Sequence, residues 1–198
     1  MKKALIVDCC IRGEASRTKR ILEAFLDALP EKYEIKRLVL SEEGISYLSP
    51  SSLADRDALI AKKSFDHPRF SYAREFAEAD LIVMAAPFWD LSFPALLKIY
   101  IEQVSVDGIT FHATESGLQG LCKAEKLIFI TTRGGSYGLG SGLEDMEMGS
   151  RYLKALHIFF GIGDYHLIAA NGLDIVGADT EAIVNAASGE AASLAGSL

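Results

Sequence analysis

The sequence predicts an α/β fold in which a parallel β-sheet is covered by helices on both faces. Three observations lead there. Apolar strand-like runs alternate with amphipathic helical stretches. Residues 81–85, Leu-Ile-Val-Met-Ala, are apolar at every position, as a central strand shielded on both faces requires. Residues 18–29 carry Ile21, Leu22, Phe25, Leu26 and Leu29 at the one-sided spacing of a helix lying on a sheet, and Pro30 stops that helix. Five strands are expected, over residues 3–8, 33–39, 80–85, 126–132 and 164–170. Residues 41–69 are polar and mixed in charge, an excursion in which Leu53, Leu59 and Ile60 suggest a helix. Residues 93–104 place Phe93, Leu96, Leu97, Tyr100, Ile101 and Val104 on an apolar stripe wide enough for a core and a partner subunit, with Pro94 tolerated in the first turn. A long connection with three glycines, residues 108–122, follows, and then helices at 144–160 and 180–194.

The 198 residues, 49% hydrophobic and 24% charged, fit one globular domain spanning 1–198 with a sizeable core. A formal charge of -7 argues against nucleic acid or an anionic membrane as the main partner, because such binding needs Lys and Arg to neutralise phosphates. Asp8 interrupts the first apolar run well short of a signal peptide, and no run is long enough to span a bilayer. Three cysteines, two of them adjacent at Cys9-Cys10, do not make a disulfide framework and point to a reducing cytoplasm. The four histidines show no metal-ligand spacing, so no metal is expected.

Chemistry is expected where strands end, since ligands in open α/β sheets bind at the carboxyl edge. Residues 8–19 follow the first strand, with Ser16 and Thr18 at the start of the next helix, whose free amides suit an anion. Arg12, Arg17, Lys19 and Arg20 crowd this loop against one acid, Glu14, a local reversal in an acidic chain that favours a phosphate. The third strand runs into Pro87-Phe88-Trp89-Asp90-Leu91, where two rings suggest a flat partner. The fourth ends in Thr132-Arg133-Gly134-Gly135, with glycines that let backbone amides approach a ligand closely. With a flavodoxin-like strand order 2-1-3-4-5, these loops converge at the point where FMN binds in flavodoxin. A phosphate at one end and a flat ring system at the other describe that molecule.

The run Ala86-Pro87-Phe88-Trp89-Asp90, then Lys98-Ile99-Tyr100, Gly108-Ile109-Thr110-Phe111, Glu115-Ser116-Gly117, Gly120-Leu121 and Thr132-Arg133-Gly134-Gly135 together resemble the FMN-dependent NADH:azoreductase and quinone reductase family over nearly the whole chain. The resemblance implies non-covalent FMN, a homodimer with both active sites at the subunit interface, and two-electron reduction of quinones or azo compounds by NADH or NADPH. It makes Ser16, Arg17 and Thr18 the phosphate loop, Pro87 to Leu91 the wall beside the isoalloxazine, and Thr132 to Gly135 its other border. Phe111 falls in the family's loop near the substrate, and Tyr100 and Tyr137 are candidate proton donors or packing residues. Two positions depart from the pattern. Cys9 stands where related sequences often have Ser, removing a hydroxyl near the phosphate, and Asp90 where they usually have Asn. An anion at 90 disfavours reduced flavin and lowers its potential unless it is protonated or pairs with Arg133.

The mechanism this implies is ping-pong: NAD(P)H delivers hydride to flavin N5 and leaves, and an electron-poor acceptor takes two electrons from the same face. No side-chain base is required, because the flavin carries the chemistry and backbone donors stabilise its charge. One alternative is a flavodoxin-type carrier without a substrate of its own. Carriers are usually shorter, and the excursion at 41–69 and the loop at 108–122 favour an enzyme. A cysteine phosphatase would need C-x5-R, whereas six residues separate Cys10 from Arg17.

Overall fold

In chain order the computed structural model, which describes residues 1–138 and 140–198, contains β1 (Lys2–Asp8), α1 (Arg17–Asp27), β2 (Tyr33–Val39), α2 (Pro50–Ala61), α3 (Ser71–Glu78), β3 (Leu81–Ala85), α4 (Ala95–Val104), β4 (Phe111–Thr114), β5 (Gly117–Gly120), β6 (Lys126–Thr132), α5 (Gly149–Phe160), β7 (Asp164–Ala170) and α6 (Thr180–Gly196). Five of these strands form one parallel sheet in the order β2-β1-β3-β6-β7. Counted among sheet strands alone, this is the expected order 2-1-3-4-5.

The sheet divides the core in two, because successive strand residues face opposite sides. Ala4 and Ile6 of β1 and Val83 of β3 pack with Ile21, Leu22 and Phe25 of α1 and with Val184 and Ala187 of α6. Leu5, Val7, Ile82 and Met84 pack on the other face with Phe76 of α3, Leu97 and Tyr100 of α4, and Leu153 and Phe160 of α5. Burying side chains of this size contributes about 1.5–3 kcal/mol each, so the two apolar faces account for why the helices sit where they do.

Several local expectations change. Helix α3 was not anticipated; its eight residues supply only Ala73, Phe76 and Ala77 to the core, too short a stretch for periodicity to stand out. Pro94 caps α4 from outside, with φ -55 and ψ 143, instead of occupying its first turn. Most of the α4 stripe enters the core, where Leu97, Tyr100, Ile101 and Val104 are buried, while Leu96 is only partly buried. The expected helix from 144 breaks into a 3-10 turn, Glu144–Met146, and α5. The long connection after α4 folds as the hairpin β4-β5, with mostly exposed residues and so no apolar alternation to read.

This hairpin lies at the amino edge of the sheet. Cys122 N–H donates to Phe160 O at the end of α5 (3.0 Å), and Gly163 and Asp164, which lead into β7, bond to Ala124 and Glu125. Gly120 packs backbone to backbone against Gly161, where a Cβ would lie 2.0 Å from Gly161 N. The opposite, carboxyl edge is even: Asp8 pairs with Ala85 and Ala85 with Ile130, so the loops after β1, β3 and β6 leave side by side.

Candidate cofactor site

Those loops enclose a cavity of about 410 Å³, within the range of small-molecule sites. Ser16, Arg17 and Thr18 line it from the first loop, Pro87, Phe88 and Trp89 from the second, and Thr132, Arg133 and Gly134 from the third. A second cavity of about 410 Å³ lies between α3 and the strands β1 and β2. Ala4, Leu5, Ile35 and Ala79 line it together with six charged residues, Lys36 and Glu75 among them, and no carboxyl-edge loop reaches it.

Ser16 is the N-cap of α1: its extended backbone (φ -80, ψ 119) turns Oγ to accept from Lys19 N–H at 3.2 Å. The amides of Arg17 and Thr18 have no acceptor among the described residues, and these are the groups that make a helix start an anion site. Thr18, fully buried, places Oγ1 2.7 Å from Thr132 Oγ1, tying the first loop to the third. One of these hydroxyls donates to the other, which leaves the acceptor's own proton for a further partner.

The second loop is pinned to the third by Phe88 N–H donating to Thr132 O (2.9 Å). It then closes in a two-residue turn in which Trp89 and Ser92 exchange backbone hydrogen bonds of 3.1 and 2.8 Å. Asp90 (φ 47) and Leu91 (φ 65) are both left-handed, the conformation such a turn demands and one that is strained for leucine. Leu91 O accepts from Met148 N–H (2.9 Å), which fixes the turn to the start of α5. The ring of Phe88 packs against Tyr137, tilted by 50° with centroids 4.7 Å apart, and the Arg133 guanidinium lies 5.8 Å from the Phe88 centroid.

Arg133 is 3% exposed. Its Nη1 donates to Asn171 Oδ1 (3.3 Å), and its Nη2 lies 3.3 Å from Glu147 Oε1 without hydrogen-bond alignment. Its Nε also has no partner among the described residues, and burial pulls the guanidinium below its ordinary pKa. Glu147, also buried, accepts from Ser150 N–H and from Ser150 Oγ. A cation buried with free donors beside a cavity calls for acceptors, which the pyrimidine carbonyls of a flavin would supply.

Nine of the expected residues therefore share one cavity, and the others do not. Cys9 follows the alternation of Leu5 and Val7 into the core beside Ala86, Phe93 and Leu97, so its thiol faces away from the phosphate loop. Asp90 and Leu91 form the turn behind the wall, Gly135 anchors Gly172 N–H at 2.9 Å, and Tyr137 backs Phe88. Asp90 has no pairing with Arg133, which is engaged by Asn171 and Glu147. Tyr100 is sealed in the core against Tyr72 and Phe76, which removes it as a proton donor. Phe111 stacks on Phe159 (4.6 Å) in the hairpin at the amino edge, at the far end of the same chain from the cavity.

Arg12, expected among the cations of the first loop, also lines the cavity, whereas sequence reasoning missed Leu173 and Asp174 on its wall and the buried Glu147 behind it. A fourth carboxyl-edge loop, after β7, was the signal that could have found Leu173 and Asp174. The expected excess of positive charge is also largely matched: Lys19 pairs with Glu14, Arg20 with Glu181 and Arg17 with Asp174.

A family model described as a flavodoxin-like fold matches residues 2–194. The chain belongs to this flavodoxin-like family. It is 43% identical over 188 residues to the FMN-dependent NADH:quinone oxidoreductase 2 of Clostridium acetobutylicum, a match covering 93% of each chain. Among solved structures, an azoreductase from Bacillus anthracis superposes with a TM-score of 0.87 at 27% identity over the full length of both chains. An FMN-dependent NADH-azoreductase of the same species, solved in complex with FMN, shares the fold with a TM-score of 0.85 at 22% identity over 98% of each chain.

Proposed function

We propose that this chain is an FMN-dependent NAD(P)H oxidoreductase that reduces quinones or azo compounds. The observation that carries the reading is the convergence of a helix start with free amides, a wall of two rings and a glycine loop on one cavity, in a chain 43% identical to an FMN-dependent NADH:quinone oxidoreductase. FMN, when bound, would supply the redox chemistry, two-electron transfer from NADH or NADPH to the acceptor in a ping-pong cycle.

The chain's own residues bind and orient. The amides of Arg17 and Thr18, with the hydroxyls of Ser16 and Thr18, would hold the phosphate. Pro87, Phe88 and Trp89 would form one wall of the ring site, while Thr132, Arg133 and Gly134 border it. The free donors of Arg133 would steady negative charge on the ring system, and Tyr137, tilted against Phe88, would support that wall from behind. At the turn, Asp90 places a carboxylate that no cation among the described residues neutralises.

Phe111 fits this function only when supplied by a second copy of the chain, which supports a homodimer. Apolar side chains exposed on the surface support the same arrangement: Trp89, Leu91 and Met148 beside the cavity, and Leu118 and Ile158 near the hairpin. The whole chain acts as one FMN-binding domain in this reading, in the cytoplasm, as its three free thiols suggest. The charge of -7 argues against nucleic acid or an anionic membrane as the main partner; among the described residues no helix is long and apolar enough to cross a bilayer.

The test is the absorbance spectrum of the purified protein, followed by anaerobic mixing with NADH and then NADPH. Flavin absorbance that bleaches with either nicotinamide supports the reading, and a protein that binds no FMN refutes it. Steady NADH oxidation with a quinone and no protein partner separates an enzyme from an electron carrier.

A further inference from the structure

Four cations surround the start of α1, and the fold pairs three of them with acids. Lys19 meets Glu14, Arg20 meets Glu181 through both Nη atoms, and Arg17 meets Asp174. Of these three acids, only Asp174 lines the cavity, together with Ser16 and Thr18. Its backbone holds it there: Asp174 N–H donates to Gly134 O (3.0 Å), and the preceding Leu173 N–H to Arg133 O (3.1 Å). The side chain reaches Arg17 Nη1 at 3.1 Å, and its Oδ2 lies 2.4 Å from where a Cβ on residue 134 would sit. A helix start attracts anions, and a carboxylate on the same wall opposes that attraction. The Arg17–Asp174 pair is open to water, with side-chain exposures of 44% and 73%, so the pair itself is weak. What a phosphate at the helix start meets is the charge of Asp174 and an arginine already shared.

We propose that Asp174 sets how strongly this site holds a phosphorylated ligand, weakening FMN and narrowing its advantage over riboflavin. The proposal rests on the assignment of FMN to this cavity. One unit of charge facing a phosphate dianion at several ångströms through water changes affinity by about tenfold. The carboxylate has no contact with the part of the ligand that lacks phosphate in this account, so riboflavin is indifferent to it.

The experiment is serial dilution of flavin-loaded protein, reading released flavin by its fluorescence, for FMN and, after exchange, for riboflavin. Asp174→Asn is expected to tighten FMN about tenfold at low salt, with the gain falling as salt screens it, and to leave riboflavin unchanged. Asp174→Ala is expected to behave alike, because removal of charge is the common change. Unchanged or weakened FMN binding in Asp174→Asn, equal tightening of riboflavin, or a gain in Asp174→Ala alone overturns the proposal. A protein that binds neither flavin refutes the cofactor assignment and this role together, whereas one that binds FMN but ignores Asp174→Asn refutes only the role of Asp174.

Discussion

Replacing Glu147 by Gln isolates the buried charge pair behind the cavity. The two side chains are 3% and 6% exposed, with Arg133 Nη2 and Glu147 Oε1 3.3 Å apart. At an effective dielectric of about 20, Coulomb attraction at that distance is about 5 kcal/mol, and removing one partner of a buried pair costs about 3–5 kcal/mol because the other is left uncompensated. Gln retains the size and an acceptor for Ser150 N–H, so the loss is one of charge. A destabilisation of about 3 kcal/mol lowers the melting temperature of a chain this long by about 6–12 °C. Urea and thermal unfolding followed by circular dichroism read it directly. Arg133→Leu is expected to cost a similar amount, and the double variant at least about 1 kcal/mol less than the sum of the singles, because neither charge is then stranded. FMN retention separates the two: Glu147→Gln keeps the cation beside the ring site, whereas Arg133→Leu removes it and weakens FMN. A Glu147→Gln variant within about 0.5 kcal/mol of the parent, or strictly additive singles, would refute the reasoning.

Burial pushes the thiols of Cys9 and Cys122 up to about 12, and that of Cys10 higher still. A disulfide reagent near neutral pH should therefore find no fast-reacting thiol until the protein is unfolded, and immediate labelling would contradict this. The unfolded chain loses those protons at the ordinary thiol value while the folded one keeps them, so stability should fall as pH rises above that value, seen as a declining urea midpoint. Gly120→Ala puts a Cβ 2.0 Å from Gly161 N and 2.1 Å from Phe160 C. Backbone cannot yield as a side chain can, so a cost of about 1–3 kcal/mol and faster hydrogen exchange across β4 and β5 are expected; an unchanged melt would argue against the contact. Asp90→Asn should raise the flavin midpoint potential by about 30 mV, the equivalent of about 1.4 kcal/mol for a two-electron couple. Spectroelectrochemistry checks this, and no shift would mean that Asp90 lies outside the field of the ring.

Whereas the edge strands β2 and β7 are partly exposed and mixed in composition, the central strands β1, β3 and β6 were legible because a parallel strand buried on both faces is a nearly uninterrupted apolar run, a local property. The same holds for Ser16, whose capping role follows from residues 16–19 alone. Once the alternation of elements makes the strands parallel, the loops after β1, β3 and β6 must share an edge, and with the flavodoxin-like strand order they adjoin, so that nine expected residues line one cavity. The sequence alone thus determined the sheet, its two covered faces and the edge that carries the site. Only the tertiary structure decided which charges meet. Arg17 finds Asp174 across 157 positions and Arg20 finds Glu181 across 161, and Arg133 turns to Glu147 and Asn171 instead of Asp90. Backbone periodicity is set by neighbours a few residues away, whereas an ion pair depends on where the fold brings two distant side chains and on how much water remains between them.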